Sequence, residues 1–444
     1  MDRENILNSV ESLTALELSE FIGQGKITLE ELRDTGNLDA SKRKAIINLQ
    51  KERSAEEENF WNTINPEDRS SYQDYIETYP NGEHIQQAKD KLKELEEYSH
   101  KQEAERQELL TKIHENPNSF AANDIREYVK DGVLSKDTLI NKGIPETVID
   151  KVLENEIQKE FSLGVTPESI PEGFTEVYFW GIAGSGKTTA LSGIISTANK
   201  MGYMEVAQGP GYDYMIQLQN QFNDEISVLP AATPTANTQY LPFTLKKPNE
   251  TNSRSVSLVE LSGEIFQCFL YKNASKPLPS EDHEHTFNTL LSYLKSDNPK
   301  IHFFFVDYAK QNKVDQDGYT QANYLSAAAT FFNNPEYNIF GNSTDAVYVV
   351  ITKSDLMPDD ISKEDQVSQY LNDNNYISFV NSLRDKCKQH NINDGRLLGT
   401  PFSLGKVYFE DISDFNPNTS KNIIDILMRR IRTNEKSILD VFNK

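Results

Sequence analysis

Residues 181–188 read Gly-Ile-Ala-Gly-Ser-Gly-Lys-Thr, which matches the phosphate-binding pattern G-x-x-x-x-G-K-[ST]. In this pattern glycines let successive backbone N–H groups turn toward a phosphate chain, and the lysine reaches the β- and γ-phosphates. The threonine hydroxyl is a ligand for Mg²⁺. The residues predicted to hold the phosphates are Gly181, Ala183, Gly184, Ser185, Gly186, Lys187, Thr188 and Thr189, and Lys187 is also predicted to act in catalysis.

The flanks of this stretch fit a nucleotide site. Residues 177–180 form a short apolar run that predicts a buried strand, and residues 189–199 are predicted to form a helix whose N-terminus faces the phosphates. The alternative, a glycine-rich surface turn, explains neither flank. Strand-like runs then alternate with helical segments up to the C-terminus, where a helix is expected at 420–441. This alternation predicts a mostly parallel α/β sheet with helices on both faces.

Composition limits the function classes. The chain has 444 residues, 25% of them charged, and a net charge of −23, which disfavours nucleic acid or an anionic membrane as a partner. No run approaches the roughly 18 apolar residues that a membrane-spanning helix needs. The first residues carry no signal-peptide pattern, and the only cysteines, Cys268 and Cys387, suit a reducing compartment. We therefore expect a cytoplasmic protein.

Three regions are expected: a helical region at 1–160, a Pro/Gly-rich linker at 161–173 and an α/β domain at 174–444. The helical region contains a duplication, because residues 21–36 and 128–143 share glycines and a Thr or Ser helix cap at the same offsets. Packing hairpins and a partner-docking module are both compatible with it. Between the copies, residues 60–88 resemble aromatic-rich helical repeats found beside bacterial signalling and defence domains, with their aromatic residues expected in the core.

A second motif indicates which base is bound. Residues 347–351 are a β-branched run typical of a central strand, and Thr352-Lys353-Ser354-Asp355 follows, matching the guanine motif [NT]-K-x-D. The Asp355 carboxylate can accept hydrogen bonds from guanine N1–H and the 2-amino group, whereas adenine offers neither donor. The stem of Lys353 would cover the base. Thr352, Lys353 and Asp355 are therefore predicted to bind guanine.

Between these motifs, the strand at 255–259 leads into Glu260-Leu261-Ser262-Gly263-Glu264, which occupies the place of D-x-x-G. Glu260 is predicted to hold Mg²⁺ with Thr188, although an aspartate is usual there. Gly263 would contact the γ-phosphate, and Glu264 stands where a water-orienting glutamine is common. A carboxylate at that position would repel the γ-phosphate unless it were protonated or paired, so we expect slow hydrolysis.

Two further parts of the site are less sharply defined. A switch threonine that ligates Mg²⁺ is expected in residues 229–235, as Thr233 or Thr235, with Thr238 a weaker candidate. A disordered loop is equally compatible with that segment. Near the C-terminus, residues 397–405 resemble a degenerate last guanine motif. In it Ser403 would orient the loop, and the backbone N–H of Leu404 or Gly405 would contact guanine O6.

Taken in order, G-I-A-G-S-G-K-T, E-L-S-G-E, T-K-S-D and F-S-L-G resemble the bacterial TRAFAC-class (translation-factor-related) GTPases of the double-GTPase type. The resemblance covers residues 174–444 and implies a P-loop GTPase-like fold, GTP or GDP and Mg²⁺ as ligands, and a regulatory role in multi-gene bacterial or defence systems. The helical region would then switch a protein partner. The alternatives are a non-hydrolysing, nucleotide-bound scaffold and an adenine-specific ATPase; the oligomeric state is left open.

Overall fold

The computed structural model of the chain describes residues 1–157, 159, 167, 169–206, 211–230, 238–337, 339–341, 343–358, 361–372 and 375–431. Its residues group into two compact units, Met1–Glu115 and Asn116–Lys444. This division places the second copy of the duplicated hairpin with the α/β sheet, so the expected helical region at 1–160 stays a prediction as a domain. Of the expected linker at 161–173, residues 161–166 and 168 lie outside the described part.

The described part of the first unit is helical. Its helices are α1 (Arg3–Asn8), α2 (Ala15–Gly23), α3 (Leu29–Asp34), α4 (Ala40–Thr63), α5 (Arg69–Thr78) and α6 (Ile85–Glu115). Local sequence signals set the helix starts, as the capping box at the start of α3 shows. The Thr28 hydroxyl accepts from the backbone N–H of Glu31 at 3.2 Å, and the Glu31 carboxylate accepts from the Thr28 N–H at 2.7 Å.

An aromatic cluster joins α4, α5 and the start of α6. The Trp61 ring lies 5.1 Å from Tyr75 and stacks on His84 at 4.5 Å between ring centroids. Tyr75 is fully buried and Tyr72 almost so. The expected core role of the aromatic residues at 60–88 is confirmed for these side chains.

The second unit begins with the second hairpin and continues into the sheet domain. Its helices are α7 (Ala122–Lys130), α8 (Lys136–Asn141), α9 (Glu146–Glu154), α10 (Lys187–Lys200), α11 (Tyr212–Asn220), α12 (Ile265–Asn273), α13 (Glu281–Leu294), α14 (Gln321–Phe332), α15 (Lys363–Leu371), α16 (Ile377–Gln389) and α17 (Asn418–Arg430). Its strands are β1 (Thr175–Trp180), β2 (Met204–Val206), β3 (Ile226–Val228), β4 (Gln239–Leu245), β5 (Arg254–Glu260), β6 (Lys300–Asp307), β7 (Thr344–Thr352), β8 (Leu398–Phe402), β9 (Gly405–Tyr408) and β10 (Ile412–Phe415).

Seven strands form the main sheet in the order β2-β4-β5-β1-β6-β7-β8, and a second sheet has the order β3-β10-β9. In the main sheet β1 pairs in parallel with β5 and β6, and the parallel pairing continues through β7 to β8. Within the described part of this sheet, β4 is the strand of opposite direction, antiparallel to both β2 and β5. The predicted α/β fold, mostly parallel with helices on both faces, is confirmed.

Side chains alternate across the sheet because strand residues point to opposite faces in turn. Val177 and Phe179 pack under α10, α11 and α17, whereas Tyr178 and Trp180 pack under the helices on the other face. Both faces are buried, which is why the central strands read as continuous apolar runs. Among the described residues, no helix combines the length and apolar character required to cross a bilayer.

The order of the strands locates a crevice. In the sheet, β5, β4 and β2 lie on one side of β1 and β6, β7 and β8 on the other, and the chain crosses from the first side to the second between β5 and β6. In open α/β sheets, the loops at the carboxyl ends of strands that diverge in this way form the ligand site. The loops after β1, β5, β7 and β8 carry the four motifs identified in the sequence.

The candidate nucleotide site

The predicted phosphate loop connects the buried strand β1 to α10. Trp180 ends β1, and Lys187 is the first residue of α10. Gly186, just before the helix, has φ 85°, a left-handed conformation that glycine adopts without strain. The N-terminus of a 14-residue helix therefore begins at the loop, where unpaired backbone N–H groups and the helix dipole favour an anion.

Lys187 is buried against its own loop. Its Nζ donates to the carbonyl oxygens of Gly181 at 2.7 Å and Ile182 at 3.0 Å. Burial lowers the pKa of Lys187 to about 8, with the Glu260 carboxylate opposing the shift and the Lys310 ammonium adding to it. Keeping Lys187 charged at this buried position therefore costs free energy, and a bound anionic ligand would offset that cost.

The two predicted metal ligands Thr188 and Glu260 touch each other, since the Thr188 hydroxyl donates to Glu260 Oε1. Glu260 ends β5 and is 1% exposed, and the Tyr214 hydroxyl donates to its other oxygen, Oε2, at 3.2 Å. Burial, together with the Glu260 charge, raises the pKa of Tyr214. A hydroxyl and a carboxylate side by side are oxygen ligands of the kind Mg²⁺ takes, so the pair fits the expected metal.

Gly263 lies directly against the phosphate loop. A Cβ added to it would come within 2.2 Å of the Ala183 backbone N and 2.4 Å of its Cα. Only glycine therefore permits this approach. The next residue, Glu264, directs its Oε2 to within 3.0 Å of His283 Nε2 on α13, so the predicted water-orienting carboxylate is in an ion pair when His283 is protonated.

The guanine motif, which follows β7, meets the phosphate loop, which follows β1, across the end of β6, the strand that lies between them. The Thr352 hydroxyl donates to the Ser185 carbonyl oxygen at 2.8 Å. At the outer end of the motif, the Ser403 hydroxyl donates to Asp355 Oδ1 at 2.6 Å. Asp355 and Ser403, predicted from two separate motifs to serve guanine, are therefore in direct contact. Leu404 is buried beside them at the start of the β8–β9 turn.

Lys353 is positioned by a buried carboxylate. It has φ 55°, and its Nζ lies 2.8 Å from Oδ2 of Asp307, which is fully buried at the end of β6. Asp307 Oδ1 accepts from the Ala309 N–H at 2.8 Å, and the Gln321 side chain bonds both the N–H and the carbonyl of Asp307. Asp307 therefore caps the turn that follows β6 and also contacts Lys353.

Sequence reasoning missed Tyr214, Lys310 and His283. Tyr214 and His283 lie on helices without a motif, so only the fold brings them to Glu260 and Glu264. Lys310 follows the apolar strand β6, and its Nζ donates to the Ala183 carbonyl oxygen at 2.7 Å. For Lys310, the sequence signal was a lysine that follows shortly after the end of a buried strand.

Other predicted residues are placed less completely. Thr233 and Thr235 lie outside the described residues; Thr238 is buried just before β4, whose Gln239 pairs opposite Glu260. Thr189 is half-buried in the first turn of α10. Among the described residues, the fully buried Ser185 hydroxyl has no hydrogen-bond partner, which suits a loop whose polar atoms serve a bound anion.

Comparison with models of known protein families finds no match, and comparison with curated proteins finds none. Similar solved structures include a nucleolar GTP-binding protein 1 from Plasmodium falciparum, 12% identical over 59% of this chain and 89% of that chain, with a TM-score of 0.24. Another is the signal recognition particle receptor SRβ–GTP/SRX complex from Chaetomium thermophilum, 16% identical over 52% and 91%, with a TM-score of 0.25. At these TM-scores neither similarity supports a functional conclusion.

Proposed function

We propose that this chain is a cytoplasmic regulatory GTPase that binds GTP with Mg²⁺, hydrolyses it slowly to GDP and thereby switches a protein partner. The observation that carries the proposal is the contact between motifs. Thr352 ties the guanine motif to the phosphate loop at 2.8 Å, and Ser403 joins Asp355 at 2.6 Å. Phosphate-binding and base-selecting groups therefore belong to one crevice.

Each part of the nucleotide has a matching set of groups. Lys187 and the loop amides would neutralise the phosphates, and Thr188 with Glu260 would hold Mg²⁺. Bound Mg²⁺ would supply positive charge that neutralises the phosphates. Gly263 would donate its backbone N–H to the γ-phosphate. Asp355 would select guanine through two acceptor oxygens.

In this proposal, the helical hairpin of the second unit, formed by α7 and α8, transmits the nucleotide state to the protein partner. The Asp411 carboxylate, beside the start of β10, accepts from the N–H of Ala122 at 2.8 Å and also pairs with Lys159. The Asp411 carbonyl accepts from the N–H of Leu229 at 2.7 Å, the first residue of the expected switch segment. One residue thus contacts both the hairpin and the chain entering that segment, which supports a partner site on the helices. A role in a bacterial multi-gene or defence system would follow from the sequence resemblance.

A non-hydrolysing scaffold is the second candidate, favoured by the 3.0 Å approach of Glu264 to His283. An ion pair with a protonated His283 would hold this carboxylate away from an attacking water. The experiment measures γ-phosphate release from GTP with and without Mg²⁺, together with ATP competition for labelled GTP. Mg²⁺-dependent release that Lys187→Ala abolishes supports the switch; tight binding without release supports the scaffold. Equal displacement by ATP would refute guanine selection.

A further inference from the structure

Lys310 belongs to none of the nucleotide motifs, yet it contacts the phosphate loop. It ends the short 3₁₀ helix Tyr308–Lys310 that follows β6. Its Nζ donates to the Ala183 carbonyl at 2.7 Å and lies 2.7 Å from where a Cβ on Gly184 would stand. The ammonium group therefore rests on the middle of the loop.

The contact identifies which part of a nucleotide Lys310 would meet. Ala183 is also the residue whose backbone Gly263 approaches, within 2.4 Å of a Cβ built on that glycine. Gly263 is the residue proposed to contact the γ-phosphate, and Glu264 follows it. Lys310 and Gly263, the residue proposed to contact the γ-phosphate, therefore both lie against Ala183.

Electrostatics favour an anion at this point. Lys187 and Lys310 place two ammonium groups on the carbonyls of three consecutive residues, 181–183. Burial lowers the pKa of Lys310, opposed by Asp307 and reinforced by Lys353 and Lys313. The Lys310 charge in turn depresses the pKa of Lys187. Like charges this close repel one another, and a polyphosphate between them would turn the repulsion into two attractions.

We propose that Lys310 contacts the terminal phosphate of the bound nucleotide as a second cation supplied in cis, and so favours the triphosphate over the diphosphate. This rests on the proposed nucleotide site. A lysine is suited to the task because its compact charge sits on a flexible stem, so Nζ can exchange a carbonyl for a nearby phosphate oxygen. The same charge would stabilise the γ-phosphoryl group during hydrolysis, a task for which the motifs contain no obvious arginine.

The test compares Lys310→Ala and Lys310→Arg with Lys313→Ala, a control that removes an exposed lysine three residues away. Dissociation constants are measured with Mg²⁺ for GDP and for a non-hydrolysable GTP analogue. Lys310→Ala should weaken the GTP analogue about 10-fold or more while GDP changes less than about threefold, since hydrogen bonds between charged groups are the strong ones. Lys310→Arg should restore most of the difference, and Lys313→Ala should match the wild type.

Other outcomes separate the two levels of the proposal. If Lys310→Ala leaves both affinities unchanged, or weakens both equally, the terminal-phosphate contact is refuted while the nucleotide site stands. The proposed function fails if the wild type binds neither nucleotide, or if the Lys187→Ala variant binds both as tightly as the wild type does. The proposed role of Lys310 then fails with it.

Discussion

The two ends of the candidate site are built in different ways. At the phosphate end, Ser185, Lys187 and Glu260 are buried, and Lys187 is held by loop carbonyls. At the base end, Lys353 and Asp355 are exposed and make their contacts through side chains. A backbone cradle serves any nucleoside triphosphate but tolerates little change in shape, whereas exposed side chains can alter the choice of base without disturbing the fold.

The largest expected effect is steric and lies at the phosphate end. Gly263→Ala would place a Cβ 2.2 Å from the Ala183 backbone N, so the loop or the β5–α12 turn must move. Overpacking of this kind costs about 1–3 kcal/mol. We expect GTP and GDP to bind about 10- to 100-fold more weakly, measured by calorimetry, with an unchanged guanine preference. Wild-type affinity with an intact circular dichroism spectrum would show that the contact is not tight.

At the base end, Asp355→Asn should change specificity. The substitution exchanges one acceptor oxygen for an NH₂ donor, which opposes the guanine 2-amino group but suits the 2-carbonyl of xanthine. We expect about 10-fold weaker GTP binding and a gain in xanthosine triphosphate binding, measured by competition. Because the phosphate end is untouched, total binding capacity should be retained. Equal losses for both nucleotides would mean that Asp355 does not face the base.

The affinity for GTP should depend on pH through Lys187, at the phosphate end of the site. Lys187 has a pKa of about 8 in the free protein, and a bound polyphosphate would raise it, so binding takes up a proton above that pH. GTP affinity should be flat below about pH 8 and then fall, approaching tenfold per pH unit. In Lys187→Arg the cation stays protonated, so its profile should be flatter across the same range, with Lys310, whose pKa burial also lowers, as the remaining titrating cation. Parallel profiles for both proteins would exclude Lys187 as the source.

The smallest effect is expected where the two ends join. Thr352→Val removes the hydroxyl that donates to the Ser185 carbonyl at 2.8 Å and leaves that carbonyl without this partner. Losing the bond should lower the free energy of unfolding by about 1 kcal/mol, measured in urea, and weaken GTP and GDP equally. Thr400→Val is the matched control, since that buried hydroxyl reaches its acceptor only at 3.4 Å. Equal losses from the two substitutions would remove any special role for Thr352.

The sequence predicted the central strands and the loops that follow them because these signals are local. Runs of aromatic and β-branched residues predicted β1 and β7, and the glycine spacing predicted the turn into α10. The contact between Asp355 and Ser403 was not itself predicted; it arises because parallel strands bring their carboxyl ends to one edge. The mostly parallel α/β fold is thus confirmed, and the roles of the motif residues stay predictions.

The sequence did not predict which side chains meet when separate helices and strands pack together. Tyr214 reaches Glu260 from α11, and His283 reaches Glu264 from α13, because of how these helices cross the sheet. No spacing rule links residues that far apart along the chain. The same holds for Asp411, whose carboxylate caps α7 from a turn 289 residues away.

The placement of the two tryptophans has a spectroscopic consequence. Trp61 stacks on His84, whose pKa is raised by a hydrogen bond with Glu58, so its emission should change as that imidazolium, a quencher, gains or loses its proton. Trp180 ends β1 and donates to His302, which burial holds neutral with a pKa of about 3. A Trp61→Phe protein would therefore keep Trp180 as its single tryptophan, a pH-insensitive reporter of ligand binding one residue before the phosphate loop.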